Sequence, residues 1–170
     1  MTQGGAGWTN RNNPSTTWET PHRYALRVYY EDTDAGGIVY YANYLRFIER
    51  ARTEALRALG IPHAELVDSF ARMFVVRRVE MDYLRPAKLD DSLIVTTDAE
   101  DIGGASLNLR QTVLAADQTK LAVARIRLAC VSVGGERPAR IPPRWRTALQ
   151  SLVPATGAAN ITTLDTRSGL

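Results

Sequence analysis

The sequence predicts an α+β domain in which one long amphipathic helix lies against an antiparallel β-sheet. Only one segment keeps apolar residues at three- and four-residue spacing over several turns. One alternating segment precedes it and about four follow it, separated by short polar turns. One helix and a run of antiparallel strands bury their apolar surfaces by packing the helix on one face of the sheet. A length of 170 residues suits one such domain.

The first predicted strand covers Tyr24 to Tyr30, where β-favouring residues alternate between two faces. The next seven residues, EDTDAGG, contain three acidic residues and two glycines. Such a composition predicts a loop that brings its backbone close to another group.

The long helix is predicted from about Asn43 to Leu59. Its apolar stripe consists of Tyr44, Ile48, Ala51, Ala55 and Leu59. Asn43 is the expected N-cap, and Gly60 followed by Pro62 is the expected end.

The elements after this helix are all predicted as strands, apart from a short C-terminal helix. The strands are Phe74 to Tyr83, Ser92 to Ala99, Ser106 to Val113 and Leu121 to Val133, and the helix is Pro143 to Leu152. The turn AADQTK between the last two strands predicts a hairpin. A sheet covered by one helix leaves an edge and a face open, which favours pairing with a second copy of the chain.

The composition of the sequence predicts the limits of the domain and the class of ligand that it binds. Residues 1–20 are polar and irregular and are predicted to be a disordered leader; residues 21–152 form the domain; residues 153–170 are predicted to be a flexible tail. No apolar run suggests a signal peptide or a membrane span, so a cytoplasmic location is expected. The net charge of +3 suits an anionic ligand and does not indicate nucleic-acid binding.

Cysteine and histidine offer little chemistry in this chain. A single cysteine, Cys130, excludes an intramolecular disulfide, and its apolar surroundings predict a buried thiol rather than a nucleophile paired with a histidine. His22 and His63 have no metal-ligand spacing to another residue, so no metal site is predicted.

Asp34 is the strongest candidate for a catalytic group. It lies between a strand and a helix, in the loop that contains Gly36 and Gly37. The free N–H groups at the start of that helix can hold an oxyanion. The alternative is that Asp32 and Asp34 are solvated turn residues or that one of them caps the helix. Glu49, on the polar side of the helix, is a second candidate carboxylate, or else a partner in ion pairs along the helix.

Two groups of basic residues are candidates for phosphate binding, or else form solvated surface. The first group is Arg77, Arg78, Arg85 and Lys88, and the second is Arg137, Arg140, Arg144 and Arg146.

The stretch YYEDTDAGGIVYYANYLRFIERAR, from Tyr29 to Arg52, resembles the signature of hotdog-fold acyl-CoA thioesterases. Within the 4-hydroxybenzoyl-CoA thioesterase family it is most similar to the Tol-Pal-associated (YbgC-type) branch. FVVRRVEMDYLRPAKLDD, from Phe74 to Asp91, matches a second block of that family. The resemblance implies the hotdog fold, an antiparallel sheet wrapped around one long central helix.

The resemblance also implies an activity and the residues that perform it. The family's catalytic carboxylate falls on Asp34, and the backbone N–H that polarises the thioester carbonyl falls near Tyr41. The implied reaction is hydrolysis of an acyl-CoA thioester to a carboxylic acid and CoA, without a metal or a cofactor. Arg77, Arg78, Arg140 and Arg144 are then the candidates for binding the CoA phosphates.

The family further implies homodimers with sites at the subunit interface, commonly arranged as dimers of dimers, which makes a homotetramer the expected assembly. Association with envelope or lipid-metabolism proteins is a further implication. The chain departs from the family at Tyr41, where many YbgC-type proteins have a histidine. Any proton transfer by that histidine is absent or altered here, whereas the backbone role needs no particular side chain.

Two other functions remain open at the level of sequence. One is a hotdog protein that binds acyl-CoA or an acylated carrier without hydrolysing it; the intact EDTDAGG loop argues against it. The other is a structural role beside an envelope complex. Measurements of binding without turnover would favour the first, and co-purification would favour the second.

Overall fold

Five antiparallel strands form one sheet in the order β1-β3-β4-β5-β2. The computed structural model describes residues 22–135 and 137–154. The strands are β1 (His22–Arg27), β2 (Arg72–Tyr83), β3 (Ser92–Ile102), β4 (Ser106–Ala115) and β5 (Lys120–Ser132). The helices are α1 (Asn43–Ala58), α2 (His63–Phe70) and α3 (Pro143–Leu149), with short 3-10 helices at Tyr30–Asp32 and Gln150–Leu152.

The predicted α+β architecture is confirmed, including the long helix, the five strands and the β4–β5 hairpin. The prediction that only strands lie between α1 and the C-terminal helix is wrong, because His63–Phe70 forms the helix α2. Two turns of helix are marginal in isolation. This one is stabilised by tertiary packing, since Leu66 is completely buried in the core.

Helix α1 packs its apolar stripe against the sheet. The buried side chains include the predicted Tyr44, Ile48, Ala51 and Ala55, and also Phe47 and Leu56. The N–H of Gly60 donates to Arg57 O and that of Ile61 to Leu56 O, each at 3.0 Å, while Gly60 has φ +71°. These bonds form a Schellman motif, which confirms the predicted end of the helix.

A bulge between Val76 and Arg78 decides which side chains of β2 face the helix. Before the bulge, Val76 pairs with the buried Leu128; after it, Val79 pairs with the buried Ile126. One extra residue reverses the alternation of a strand. Tyr83 therefore lies on the side of the sheet that carries α1, and Arg78 lies on the outer side.

The ends of the chain are largely outside the described residues. Residues 1–20, the predicted leader, and residues 155–170 of the predicted tail are not described, so the domain limits of 21–152 and 153–170 stay predictions. Within the part that is described, no helix has the length and apolar character needed to cross a membrane.

Candidate active site

The loop between β1 and α1 is organised by Asp32. This side chain is buried, and its Oδ2 accepts the N–H of Tyr29 at 2.8 Å. Its backbone carbonyl accepts the N–H of Tyr40 at 2.9 Å and the side-chain amide of Asn43 at 3.0 Å. Asn43 is therefore not the N-cap that its sequence position predicts; Ala42 occupies that position. Of the two aspartates, Asp32 has the structural role.

Asp34 is held at the start of a tight turn in the same loop. Its N–H donates to Ile38 O and its carbonyl accepts the N–H of Gly37, both at 3.0 Å. Its Oδ1 accepts the N–H of Gly36 at 2.8 Å, an Asx turn. The carboxylate is exposed in the single chain, and among the described residues its Oδ2 has no hydrogen-bond donor. One oxygen orients the group, and the other is available to a ligand.

Two backbone N–H groups at the start of α1 are also available. Within residues 22–135 and 137–154, the N–H groups of Tyr41 and Ala42 have no hydrogen-bond acceptor. They lie at the N-terminal end of a 16-residue helix, where the helix dipole places partial positive charge. This end of α1 can stabilise a developing negative charge.

A cavity of about 300 Å³ opens beside the helix start. Its lining comes from the Asp34 loop, from α1 and from the end of β2: Ile38, Val39, Tyr41, Tyr44, Tyr83, Leu84, Arg85 and Pro86. These side chains are aliphatic and aromatic, with one cation. The cavity can accept an apolar group whose reactive end lies near the helix start.

Hydrogen bonds fix two of the tyrosines that line this cavity. The Tyr83 hydroxyl donates to the carbonyl oxygen of Tyr41 at 3.0 Å, and the Tyr44 hydroxyl accepts the N–H of Ala87 at 3.1 Å. Burial raises the pKa of both phenols. Both hydroxyls therefore stay protonated near neutral pH.

Asp34 acts electrostatically on Tyr40, the chain neighbour of the cavity residue Tyr41. Hydrogen bonding to the Tyr41 side chain contributes most to the raised pKa of Tyr40, and the charge of Asp34 adds to it. The rings of Tyr40 and Tyr41 lie 4.7 Å apart. The charge of Asp34 therefore acts on the pair of tyrosines that precedes α1.

Glu49, the second predicted carboxylate, has different neighbours. It accepts a hydrogen bond from the Thr53 hydroxyl at 2.9 Å. Burial lowers the pKa of Arg52 and of His63, and the charge of Glu49 opposes this shift in both. Glu49 lies eight residues beyond Tyr41, which is roughly 12 Å along a helix. Within one chain, its side chain is exposed on α1 and is not among the residues that line the cavity.

The four arginines predicted to bind phosphates do not form one group. Arg77 is the extra residue of the β2 bulge, and Arg78 pairs with Glu80 on the outer face of the sheet. Arg140 lies near the start of β2, where its carbonyl accepts the guanidinium of Arg72, and Arg144 pairs with Glu65. The six steps along the chain from Arg72 to Arg78 span about 20 Å of strand.

The basic residues beside the cavity are instead Arg85, which lines it, and Lys88, whose backbone pairs with that of Ile38. Both belong to the first basic group predicted from the sequence, but neither was assigned to the site. Tyr83 and Tyr44 were not predicted as site residues either. The sequence signal for Tyr83 is the family block that ends in DYLRPAKLDD, and Tyr44 lies in the first family stretch, Tyr29 to Arg52.

The remaining reactive side chains lie away from this site. Cys130 is buried, as predicted, and its burial raises the pKa of the thiol. Such a thiol is a poor nucleophile. Among the described residues, no group of three or more histidine, cysteine or acidic side chains is placed to hold a metal ion.

The chain is similar to known thioesterases. Residues 28–149 match the family model described as thioesterase-like superfamily. The acyl-CoA thioesterase YbgC of Haemophilus influenzae is 41% identical over 129 residues, which cover 76% of this chain and 94% of that protein. The acyl-CoA thioester hydrolase YbgC of Escherichia coli O6:H1 is 42% identical over 123 residues, or 72% and 91% of the two chains.

A solved structure shows the same arrangement of elements. A probable thioesterase from Bartonella henselae superposes with a TM-score of 0.69 at 34% identity, covering 72% of this chain and all of that one. The match to the family model spans the Asp34 loop, α1 and the whole sheet from β2 to β5. The chain belongs to the thioesterase-like superfamily and has the hotdog fold that its sequence predicts.

Proposed function

We propose that this protein hydrolyses acyl-CoA thioesters to a free carboxylic acid and CoA, with Asp34 as the catalytic carboxylate. The observation that carries the proposal is one loop that holds both reactive components. Asp34 has a free carboxylate oxygen, and the same loop ends in the unpaired N–H groups of Tyr41 and Ala42. The activity of the relatives from Haemophilus influenzae and Escherichia coli, as their names state it, supports the same reaction.

The reaction needs a nucleophile on one side of the thioester carbonyl and hydrogen-bond donors on the other. Asp34 either deprotonates and orients a water molecule or attacks the carbonyl carbon itself, and water then releases the acyl group from the carboxylate. In both cases the oxygen of the tetrahedral intermediate is stabilised by the helix start near Tyr41. The C–S bond breaks with departure of the CoA thiolate, which is a good leaving group, so no strong general acid is required.

Water, the thioester and these protein groups account for the whole reaction, so the proposal includes no metal and no cofactor. Tyr41 occupies the place of a histidine common in YbgC-type proteins. We assign it only its backbone N–H, a role that needs no particular side chain.

Binding of the CoA moiety is assigned to the positive charge beside the cavity. Arg85 lines the cavity that would hold the acyl group. Arg77, Arg78, Arg140 and Arg144 stay predictions as phosphate ligands. Arg144 pairs with Glu65 and Arg78 with Glu80, which makes either less available to a phosphate.

The proposed active unit is a homodimer. Large apolar and aromatic side chains around the Asp34 loop are exposed in the single chain: Tyr29, Tyr30, Tyr40, Tyr41, Leu45, Tyr83, Leu84 and Leu89. Exposed aromatic and large apolar side chains are typical of protein interfaces. β2 is also a 12-residue edge strand with one unpaired side. A second copy would cover both features and shield Asp34 from bulk solvent. The dimer of dimers, the cytoplasmic location and envelope partners stay predictions.

The test is the Asp34→Asn variant, which keeps the shape of the side chain and removes its charge. We expect kcat to fall about 10²–10⁴-fold, the usual contribution of a positioned base or nucleophile. Release of free thiol is measured over a panel of acyl-CoA chain lengths and one aromatic thioester. Asp91→Asn is the matched control, because Asp91 is an exposed loop carboxylate that accepts the N–H of Lys88 and does not line the cavity.

Two results would contradict the proposal. Parental turnover by Asp34→Asn would exclude Asp34 as the catalytic group. Binding of every acyl-CoA in the panel without release of thiol would favour the non-catalytic binding protein.

A further inference from the structure

The peptide that joins Tyr41 to Ala42 is held by a single hydrogen bond. The backbone N–H of Tyr40 and the side-chain amide of Asn43 both donate to the carbonyl of Asp32, but the peptide between Tyr41 and Ala42 makes no such bond. Among the described residues, only the Tyr83 hydroxyl donates to the carbonyl of Tyr41. The orientation of this peptide therefore depends on a side chain about 40 positions further along the chain.

The orientation of this peptide determines where the N–H of Ala42 points. The carbonyl of Tyr41 and the N–H of Ala42 belong to one planar trans peptide and point in opposite directions. A hydrogen bond to the carbonyl also polarises the peptide, which strengthens donation by its N–H by about 10–30%. That N–H has no acceptor among the described residues.

We propose that Tyr83 is a positioning residue, which orients and polarises the Tyr41–Ala42 peptide so that the N–H of Ala42 becomes a second donor to the thioester oxyanion. This inference rests on the proposed function. The oxyanion site then consists of two consecutive N–H groups, of Tyr41 and Ala42. Tyr83 acts through the second one and does not touch the reacting atoms.

The surroundings of Tyr83 fit a fixed donor. Its ring packs edge-to-face on Tyr41, with centroids 6.3 Å apart, and on Tyr44, with centroids 5.5 Å apart. Tyr44 is buried and is itself fixed by the N–H of Ala87. Burial, with a smaller contribution from Tyr41, raises the pKa of Tyr83, so the hydroxyl keeps the proton that it donates.

The experiment compares the full-length parent protein with Tyr83→Phe, which removes only the hydroxyl. Two readouts are used: kcat and KM for an acyl-CoA that the parent hydrolyses, and the amide nitrogen chemical shift of Ala42 in the free protein. We expect kcat to fall about tenfold, less than the 10²–10³ typical when an oxyanion donor is deleted, because the N–H of Ala42 is weakened and not removed. KM stays within about twofold, since the ring still lines the cavity, and the Ala42 nitrogen resonance shifts.

Tyr24→Phe is the matched control. Tyr24 lies on β1, packs against the core and is not part of the site, so neither readout should change. An unchanged kcat, equal changes in kcat and KM, or an unchanged Ala42 resonance in Tyr83→Phe would overturn the inference. A parent protein without hydrolase activity overturns the proposed function instead. The Ala42 resonance then still decides whether Tyr83 holds this peptide.

Discussion

Asp32 and Asp34 are two residues apart in one loop, yet their surroundings differ in every respect that matters for chemistry. Asp32 is buried, and its carboxylate and carbonyl together accept three hydrogen bonds from the loop. Asp34 is exposed and keeps one carboxylate oxygen free of protein donors within the described chain. The structural alternative raised from the sequence therefore fits Asp32, and the proposed catalytic role falls to Asp34.

Gly36 leaves room for the carboxylate of Asp34 because it has no side chain. A Cβ placed on Gly36 would lie 3.0 Å from Oδ1 of Asp34, closer than such atoms normally approach. In Gly36→Ala we expect the carboxylate to move by a few tenths of an ångström and kcat to fall about tenfold, since small misplacements of catalytic groups are costly. Thermal stability should change little, because the displaced atom is the end of a side chain.

Steady-state thiol release measures this effect, with Gly104→Ala as the control. A Cβ on Gly104 meets no atom within 4 Å. Equal kcat values for the two variants would show that the position of Oδ1 is not critical.

Local sequence signals predicted the long helix better than the short one. The apolar stripe of α1 and its glycine stop are encoded within one 18-residue segment, and the structure agrees with both. Helix α2 has only eight residues and one completely buried side chain, Leu66. Its stability depends on the core that Leu66 enters, which no local pattern specifies.

The end of α1 gives a prediction about stability. Gly60 has φ +71°, a conformation in which a Cβ is unfavourable by roughly 1–2 kcal/mol. Gly60→Ala should therefore lower the free energy of unfolding by about 1 kcal/mol, after allowance for the smaller entropy of the unfolded alanine chain. Chemical denaturation measures this change in the free energy of unfolding.

Gly104→Ala serves as the reference here also, since Gly104 does not have a positive φ and its surroundings are open. A free energy of unfolding for Gly60→Ala equal to or above that of the parent would contradict the assignment of a Schellman motif at this helix end.

At the scale of the whole molecule, the single chain leaves its proposed active site uncovered. The cavity beside the start of α1 is open, and β2, the strand that ends at Tyr83, has an unpaired edge. A partner subunit that continues the sheet at β2 would lie next to both. A substitution that disrupts the dimer is therefore expected to lower the catalytic activity as well.

Val79→Lys tests this connection. Val79 lies on edge strand β2 with 39% of its surface exposed, and lysine on an edge strand opposes pairing between sheets. We expect the variant to shift toward monomer and to lose most of its turnover, measured by sedimentation velocity and thiol release. Val67→Lys is the control, because Val67 on α2 is equally exposed at 41% but lies outside the sheet. A Val79→Lys protein with the parental mass and rate would exclude the β2 edge as the interface.

The sequence by itself determined the order of the five strands, the limits of α1 and the loop that holds Asp34, because each depends on residues that are near neighbours in the chain. Only the tertiary structure decided which distant side chains join that loop. The bulge at Arg77 reverses the alternation of β2, so that Tyr83 faces the start of α1 while Arg78 faces away from it. A strand sequence shows its alternation but not the position of an extra unpaired residue, because the register is set by the partner strand β5. Arg78 was selected from the sequence for its charge, whereas Tyr83 becomes a site residue only through this register.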